Sequence, residues 1–393
     1  MSRDAGLTAR AGRLRTLDDL GDLAGARVLV RAEFNVPLRP DGGVADDTRL
    51  RLTLPTVIAL RERGARVLLV AHLGRPRDRE ESLSLRPVAA RLSELLGEDV
   101  AFAPDLEHVM DGDVVMLENI RFEAGETTDD PALAARLGAL ADAYVNDAFG
   151  SAHRTNASTV GVAGHVARSA AGLLFEREIA MLQSVLQSPA RPLVGVLGGA
   201  KVTDKIGVIQ RLLELADTLL IGGAMSYPFL AAQGHGVGDS LCDAEGVAIA
   251  RRLLEHADGR LRLPFDLVVA DRFAADATRR VVASDGIEAG WMGMDIGPRT
   301  REAYADVIER AGTVFWNGPL GAFELEPFAA GTRAIAEAMG RSDATTVVGG
   351  GDLVGALTRY ELGDRVTHIC TGGGASLEFI EGRVLPAYAA LAE

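Results

Sequence analysis

The residues able to do chemistry in this chain fall into two sets. One is basic: Arg49, His72, Arg75, Arg121 and Arg154, three of them within a few residues of the end of a short apolar run. The other is glycine. Leu197-Gly198-Gly199-Ala200-Lys201, Ile221-Gly222-Gly223-Ala224, Asn317-Gly318-Pro319, Val348 through Asp352 and Thr371 through Gly374 each follow such a run. Guanidinium forks bind phosphate and carboxylate in a planar, two-pronged way, so several at one rim suit a small polyanion. Glycine has no Cβ, so a glycine turn lets backbone N–H groups come close to a ligand, and donors at a helix start suit phosphate oxygens. The two sets predict two anionic ligands, one per half of the chain, facing each other across a cleft.

Each feature also has a plainer reading. A lone arginine is commonly a surface or helix-pairing residue. Arg49 opens a helix after Asp46-Asp47-Thr48, a capping segment, and a cation there opposes the helix dipole unless an anion is bound. Lys201 and Lys205 flank the helix start after Gly198-Gly199. One such lysine is usually solvated; two beside a double glycine favour an anion role. The run is not G-x-x-x-x-G-K-[ST], because Ala200 and Asp204 precede the lysines. Asp352, after three glycines, suits a helix N-cap and equally a Mg²⁺ ligand beside phosphates, and the two roles are compatible. That stretch is no dinucleotide fingerprint, since Val354 stands where a glycine is needed. His72 reads as a general base or as a neutral hydrogen-bond partner. No Ser–His–Asp pattern and no H-E-x-x-H motif supports a hydrolase or a zinc enzyme.

The elements that must position these residues alternate strand and helix. Apolar runs predict strands at 27–31, 66–71, 114–117 and 144–146, then at 193–197, 218–221, 267–270, 314–316, 346–348 and 368–370. Amphipathic patterns predict helices at 50–63, 85–96 and 131–141, then at 205–215, 244–256, 300–311, 332–339 and 353–360. Near-continuous apolar strands between amphipathic helices mean parallel sheets covered on both faces. Helical Gly172–Gln187 is followed by Ser188-Pro189-Ala190-Arg191-Pro192, whose prolines stop it. A domain boundary is expected near 188, with 172–187 as connecting helix and hinge.

Length and composition agree. At 393 residues, two domains are expected. No apolar stretch approaches the roughly 18–20 residues of a membrane helix. A net charge of −14 argues against general nucleic-acid or membrane affinity, so positive charge must be gathered locally. Cys242 and Cys370, without CxxC spacing, fit a reducing cytoplasm. The start lacks an apolar signal core, and residues 1–13 read as a disordered extension rather than a transit peptide.

Taken in order, the segments RAEFNVPL (31–38), DDTRLR (46–51), AHLGRP (71–76), LENIRF (117–122) and YVNDAFGSAHR (144–154) resemble phosphoglycerate kinase. LGGAKVTDKIGVI (197–209), WMGMDIGP (291–298), FWNGPLGAFE (315–324), VGGGD (348–352) and TGGGASLEF (371–379) extend the resemblance to nearly the whole chain. It implies an α/β protein of two Rossmann-like domains joined by a hinge helix: 14–187 for phosphoglycerate, 188–374 for nucleotide, and 375–393 packing back on the first. It implies phosphoryl transfer between ATP and the carboxylate of 3-phosphoglycerate, with Mg²⁺, in a cytoplasmic monomer. By residue match Glu33, Phe34, Asn35, Arg49, His72, Leu73, Gly74, Arg75, Arg121 and Arg154 would hold phosphoglycerate. Lys201, Lys205, Gly222, Gly223, Gly293, Asn317, Glu324, Gly349, Gly350, Gly351, Asp352 and Leu353 would hold the nucleotide, with Asp352 on Mg²⁺. Arg49, Lys205 and the amides of Gly350, Gly351, Gly373 and Gly374 would surround the transferring group.

The chain departs from the family's pattern at several places. Glu33 stands for an Asp that would touch the substrate hydroxyl. Leu353 replaces a Thr or Ser whose hydroxyl would lie against nucleotide phosphate. Ala224 and Pro228 alter a segment near the adenine pocket, and Asn156 replaces a common His. Kinase activity with weakened or shifted nucleotide handling is expected. The competing expectation is a non-catalytic paralogue that binds nucleotide or phosphoglycerate as a sensor or scaffold.

Overall fold

The computed structural model describes residues 12–393. Of the extension expected over 1–13, positions 1–11 therefore lie outside the described residues. Arg13 is not loose: its Nη2 reaches Asp19 Oδ1 at 2.8 Å and Glu393 Oε1 at 3.0 Å.

The chain divides into two compact units. The first runs to Ala180 and takes in Arg383–Glu393; the second spans Met181–Gly382. Mainly apolar, buried runs build four of the first unit's strands, β1 (Arg27–Arg31), β2 (Arg66–Val70), β4 (Val114–Leu117) and β5 (Ala143–Asn146); the short β3 (Ala101–Ala103) and β6 (Ser169–Ala171) complete the set. They form one parallel six-stranded sheet in the order β3-β4-β2-β1-β5-β6. The helices between them are α1 (Thr48–Glu62), α2 (Arg86–Leu96) and α3 (Pro131–Ala139). Their ends follow local chemistry. α2 has Pro87 in its first turn and stops at left-handed Gly97, while Asp130 caps α3 by accepting from Ala132 N and Leu133 N. Helix α4 (Leu173–Gln187) contains both Ala180 and Met181, so the division falls inside the helix and not at the prolines beyond it.

The second unit carries β7 (Leu193–Leu197), β8 (Thr218–Ile221), β9 (Leu261–Arg262), β10 (Asp266–Ala270), β11 (Arg279–Ala283), β12 (Met292–Ile296), β13 (Thr313–Asn317), β14 (Thr345–Gly349) and β15 (His368–Ile369). Six of them form a second parallel sheet, β9-β8-β7-β13-β14-β15. One strand expectation needs correction. β10 does not join that sheet; it pairs antiparallel with β11 and β12 in a separate three-stranded sheet. An apolar run reports burial but not partner direction, and here short antiparallel connections supply the partners.

The helices of this unit are α5 (Ile206–Leu215), α6 (Ser226–Ala232), α7 (Ala244–Glu255), α8 (Pro298–Glu309), α9 (Ala330–Arg341), α10 (Gly351–Arg359) and α11 (Gly374–Ile380). A segment returning to the first unit was expected from 375 onward. The return begins later, because α11 buries Ala375, Phe379 and Ile380 and packs on α5 within the second unit. Only Arg383–Glu393 belongs with the first unit, where α12 (Pro386–Leu391) lies beside β6. It is tied there by Ala387 N to Ala152 O at 3.1 Å and Arg15 N to Leu391 O at 3.1 Å.

Candidate active site

In the first unit, four adjacent strands, β4-β2-β1-β5, end at one edge and deliver the basic set together. Parallel pairing makes this unavoidable, because all carboxyl ends lie on the same side. His72 follows β2 and is buried. Its ring is held far below the ordinary imidazole range by burial first, then by the guanidinium charges of Arg31, Arg121, Arg154 and Arg49. Arg121 follows β4 and is itself pulled down by burial and by Arg154 and Arg31. Its Nε is buried without a protein partner, and one of its terminal nitrogens donates to Gly74 O. A buried guanidinium nitrogen facing other guanidiniums is an anion site in waiting.

Arg49 stands in the first turn of α1, half-exposed, donating to Asn35 O at 2.9 Å and lying 3.4 Å from Glu33 Oε1. The turn is pinned from outside. Asp47 takes Arg51 Nε at 2.8 Å and Arg91 Nη2 of α2 at 2.6 Å. Glu33, buried, accepts from Ser151 Oγ at 2.8 Å, and Gly150 leaves it room: a Cβ there would sit 3.2 Å from Glu33 Oε2. Its longer side chain thus has a fitted slot. Asn35 accepts from Gly74 N at 2.9 Å, and Arg75 is exposed.

Two expected contributors are not presented to a ligand by their side chains. Phe34 is fully buried in the core. Leu73 is 3% exposed, and its backbone is occupied by Asn119, which accepts from Leu73 N and donates to Leu73 O. Both support the rim from beneath, as apolar side chains on a buried strand end must. Sequence reasoning missed Arg31, Glu126 and Ser158. Arg31 ends an otherwise apolar buried strand, and that mismatch was a readable signal.

In the second unit the five glycine turns follow β8, β7, β13, β14 and β15, five neighbours in the sheet, at their carboxyl ends. Their amides are not all left for a ligand. Gly198 N donates to Asn317 O, Gly199 N to Pro319 O, Gly222 N to Leu197 O and Gly223 N to Leu320 O. A Cβ on Gly223 would meet Pro319 O at 2.8 Å. Gly222 and Gly223 therefore let the turns after β7, β8 and β13 close on one another. The amides of Gly350, Gly351, Gly373 and Gly374 donate to no backbone carbonyl among the described residues. These glycines start α10 and α11, where the first-turn N–H groups are left over by helix geometry.

Lys205 is threaded between two glycine turns. Its Nζ donates to Gly198 O at 2.6 Å and lies 3.3 Å from Asn317 O; a Cβ on Gly318 would stand 2.6 Å from it. Burial pulls the amine down to about 8, opposed by the carboxylates of Asp352 and then Asp204. Asn317 is buried with Nδ2 unpartnered, beside Gly350. Asp352 is exposed in the first turn of α10, where Gly350 takes the N-cap position and Asp352 makes no capping bond. The capping reading fails and the carboxylate is left for other use. Gly349 ends β14, and Gly293 lies against Tyr227: a Cβ there would be 2.2 Å from Tyr227 Oη. Glu324 is exposed on a loop held by Arg359 Nη1 to Glu324 O at 3.0 Å and Tyr360 Oη to Phe323 O at 2.7 Å. Lys201 is exposed. Leu353 needs correction, because its side chain is fully buried in the core with Trp316, Val348 and Leu357 rather than at the rim.

A family-wide sequence profile described as phosphoglycerate kinase matches residues 17–383. The chain belongs to the phosphoglycerate kinase family. It is 53% identical over 389 residues to phosphoglycerate kinase of Rubrobacter xylanophilus, covering 96% of this chain and 98% of that one. It is 50% identical over 397 residues to that of a Synechococcus strain, covering 95% and 96%. Among solved structures, phosphoglycerate kinase from Coxiella burnetii superposes with a TM-score of 0.91 at 40% identity, covering 96% of this chain and 99% of that one. That from Pyrococcus horikoshii gives 0.81 at 32% identity, covering 96% and 98%. No helix among the described residues is long and apolar enough to cross a membrane. Neither cysteine is in a disulfide; Cys370 is buried and Cys242 half-buried.

Proposed function

We propose that the chain catalyses reversible phosphoryl transfer between ATP and the carboxylate of 3-phosphoglycerate, giving ADP and 1,3-bisphosphoglycerate. The observation that carries this reading is the cluster of Arg31, Arg49, Arg121 and Arg154 around His72 in a chain of net charge −14. So concentrated a positive charge at one sheet edge, only partly offset by Glu33 and Glu126, favours a small polyanion. In the second unit Lys205, the Asn317 amide and the free amides of Gly350, Gly351, Gly373 and Gly374 suit a phosphate tail. Asp352, an exposed carboxylate without a capping bond, suits Mg²⁺, which would neutralise charge on the nucleotide phosphates when bound.

The chemistry asks little of side chains beyond position and charge. A carboxylate is already a nucleophile, so no general base is required, and the neutral, buried His72 does not supply one. Arg49 and Lys205 each carry a charge suited to the equatorial oxygens of a phosphoryl group, and the amides of Gly373 and Gly374 suit its orientation. Glu33, Asn35 and the arginines hold the acceptor; Gly293, Asn317 and Glu324 hold the nucleoside side. The reading includes a cytoplasmic monomer with no nucleic-acid or membrane partner. A coupled assay of ADP formation from Mg-ATP, with and without 3-phosphoglycerate, tests it. Phosphoglycerate-dependent turnover is expected. Binding of both ligands by calorimetry without turnover would instead establish a sensor or scaffold.

A further inference from the structure

We propose that Arg31 is a positioning residue that fixes His72 as the neutral ring with its proton on Nε2, making His72 an uncharged N–H donor rather than a base or a cation. The inference deepens the proposed function and rests on it for the identity of the acceptor. It begins from one contact. Arg31 Nη2 lies 2.9 Å from His72 Nδ1, and both side chains are buried. A guanidinium has five donors and no acceptor, so hydrogen bonding to it requires a lone pair on Nδ1. The ring's proton must then be on Nε2.

Arg31 cannot readily turn to offer anything else. Its Nε donates to Ser158 Oγ at 2.9 Å and its Nη1 to Ala32 O at 2.5 Å. Ser158 Oγ in turn donates to Glu126 Oε1 at 2.6 Å, and Ser158 N donates to Glu126 Oε2 at 3.0 Å. Asn156 Nδ2 also approaches Glu126, at 3.3 Å. The buried glutamate, serine and arginine form a fixed chain whose last donor is aimed at one ring nitrogen. The outer nitrogen, Nε2, lies 4.0 Å from Glu33 Oε1, beyond hydrogen-bond reach.

The surroundings also disfavour a second proton. Arg31 from β1, Arg49 from α1, Arg121 after β4 and Arg154 after β5 all press on the ring, and Glu33 is the nearest carboxylate to Nε2. Burial and these four charges hold the ring neutral across the physiological range. An Nε2–H bond in this setting discriminates. It rewards an acceptor oxygen, of phosphate or carboxylate, and penalises a donor such as an ammonium group. The arginines supply the charge and His72 supplies direction, which equal charges crowded together do poorly.

The test uses the full chain labelled with ¹⁵N-histidine and long-range ¹H–¹⁵N correlation spectra, with His72→Gln identifying the ring's signals. A protonated Nε2 and bare Nδ1 are expected, unchanged from about pH 5.5 to 8.5. Arg31→Met, which removes the donor, should give mixed tautomers or a titrating ring. It should also raise the KM for 3-phosphoglycerate roughly tenfold while leaving the KM for ATP unchanged. Arg31→Lys, which keeps a donor, should restore the Nε2–H pattern. A wild-type ring protonated on Nδ1, or doubly protonated near neutrality, overturns the proposal, and this spectrum decides even if Arg31→Met does not fold. Arg31→Met with an unaltered ring and unaltered KM also overturns it. An Nε2–H ring in a protein without kinase turnover would uphold the ring assignment and sink only the activity.

Discussion

Lys205 gives up its proton more readily than a solvated lysine, and activity should follow its charge. The amine is buried between the Gly199 and Gly318 turns, and burial lowers it to about 8 from the ordinary 10.5. With that value about 90% of the substrate-free protein carries the charge at pH 7 and about 10% at pH 9. If Lys205⁺ is needed to receive the nucleotide, kcat/KM for Mg-ATP falls roughly tenfold per pH unit above about 8. An ordinary lysine would hold the profile flat to about pH 10.

Two variants fix the assignment. Asp204 raises the Lys205 value through its charge, so Asp204→Asn should move the break to lower pH. Lys205→Arg should remove the break while lowering the plateau, because a guanidinium does not titrate in this range. The measurement is kcat/KM for Mg-ATP at constant ionic strength, with coupling enzymes in excess at every pH. A profile level beyond pH 9.5 would refute the reasoning. So would an Asp204→Asn break that stays in place or moves upward.

Three further outcomes follow from buried groups. Asp147 is fully buried, accepts from Leu174 N at 2.9 Å, and is pushed up to about 7, chiefly by burial. The folded protein keeps a proton that the unfolded chain loses near pH 4, so stability falls as pH rises and levels off above about 7. At about 1.4 kcal/mol per unit over roughly three units, the change is at most about 4 kcal/mol. Asp147→Asn should remove it; urea titrations at several pH values with parallel slopes for both proteins would disprove this. Gly293→Ala places a Cβ 2.2 Å from buried Tyr227 Oη and should raise the KM for ATP about tenfold, with that for 3-phosphoglycerate unchanged. Leu353→Thr exchanges a fully buried core side chain for a hydroxyl and should cost about 2 kcal/mol in thermal unfolding, without tighter nucleotide binding. A lowered KM for ATP at unchanged stability would show that the side chain belongs to the rim after all.

Most of the main-sheet strands and the longer helices were legible, because a strand covered on both faces must be apolar throughout. Arg27–Arg31, Val114–Leu117, Leu193–Leu197 and Thr218–Ile221 match the observed strands end to end. The short strands Ala101–Ala103 and Ser169–Ala171 carried too little apolar signal to stand out, and the direction of β10 was not encoded in its own residues. For the proposed site, residue type singled out the arginines, Lys205 and Asp352. It could not separate glycines whose amides are free from those whose amides are already bonded.

By itself the sequence determined which chemistry was available: guanidiniums and a histidine in one half, glycine turns and two lysines in the other, each after a strand. Tertiary structure alone decided which atoms remain open to a ligand. Gly222 and Gly350 look alike in the chain, yet one donates to Leu197 O and the other opens a helix. Arg31 looked like a strand residue until folding aimed it at His72. The reason is that hydrogen-bonding capacity belongs to a residue, whereas its satisfaction depends on neighbours brought from far along the chain.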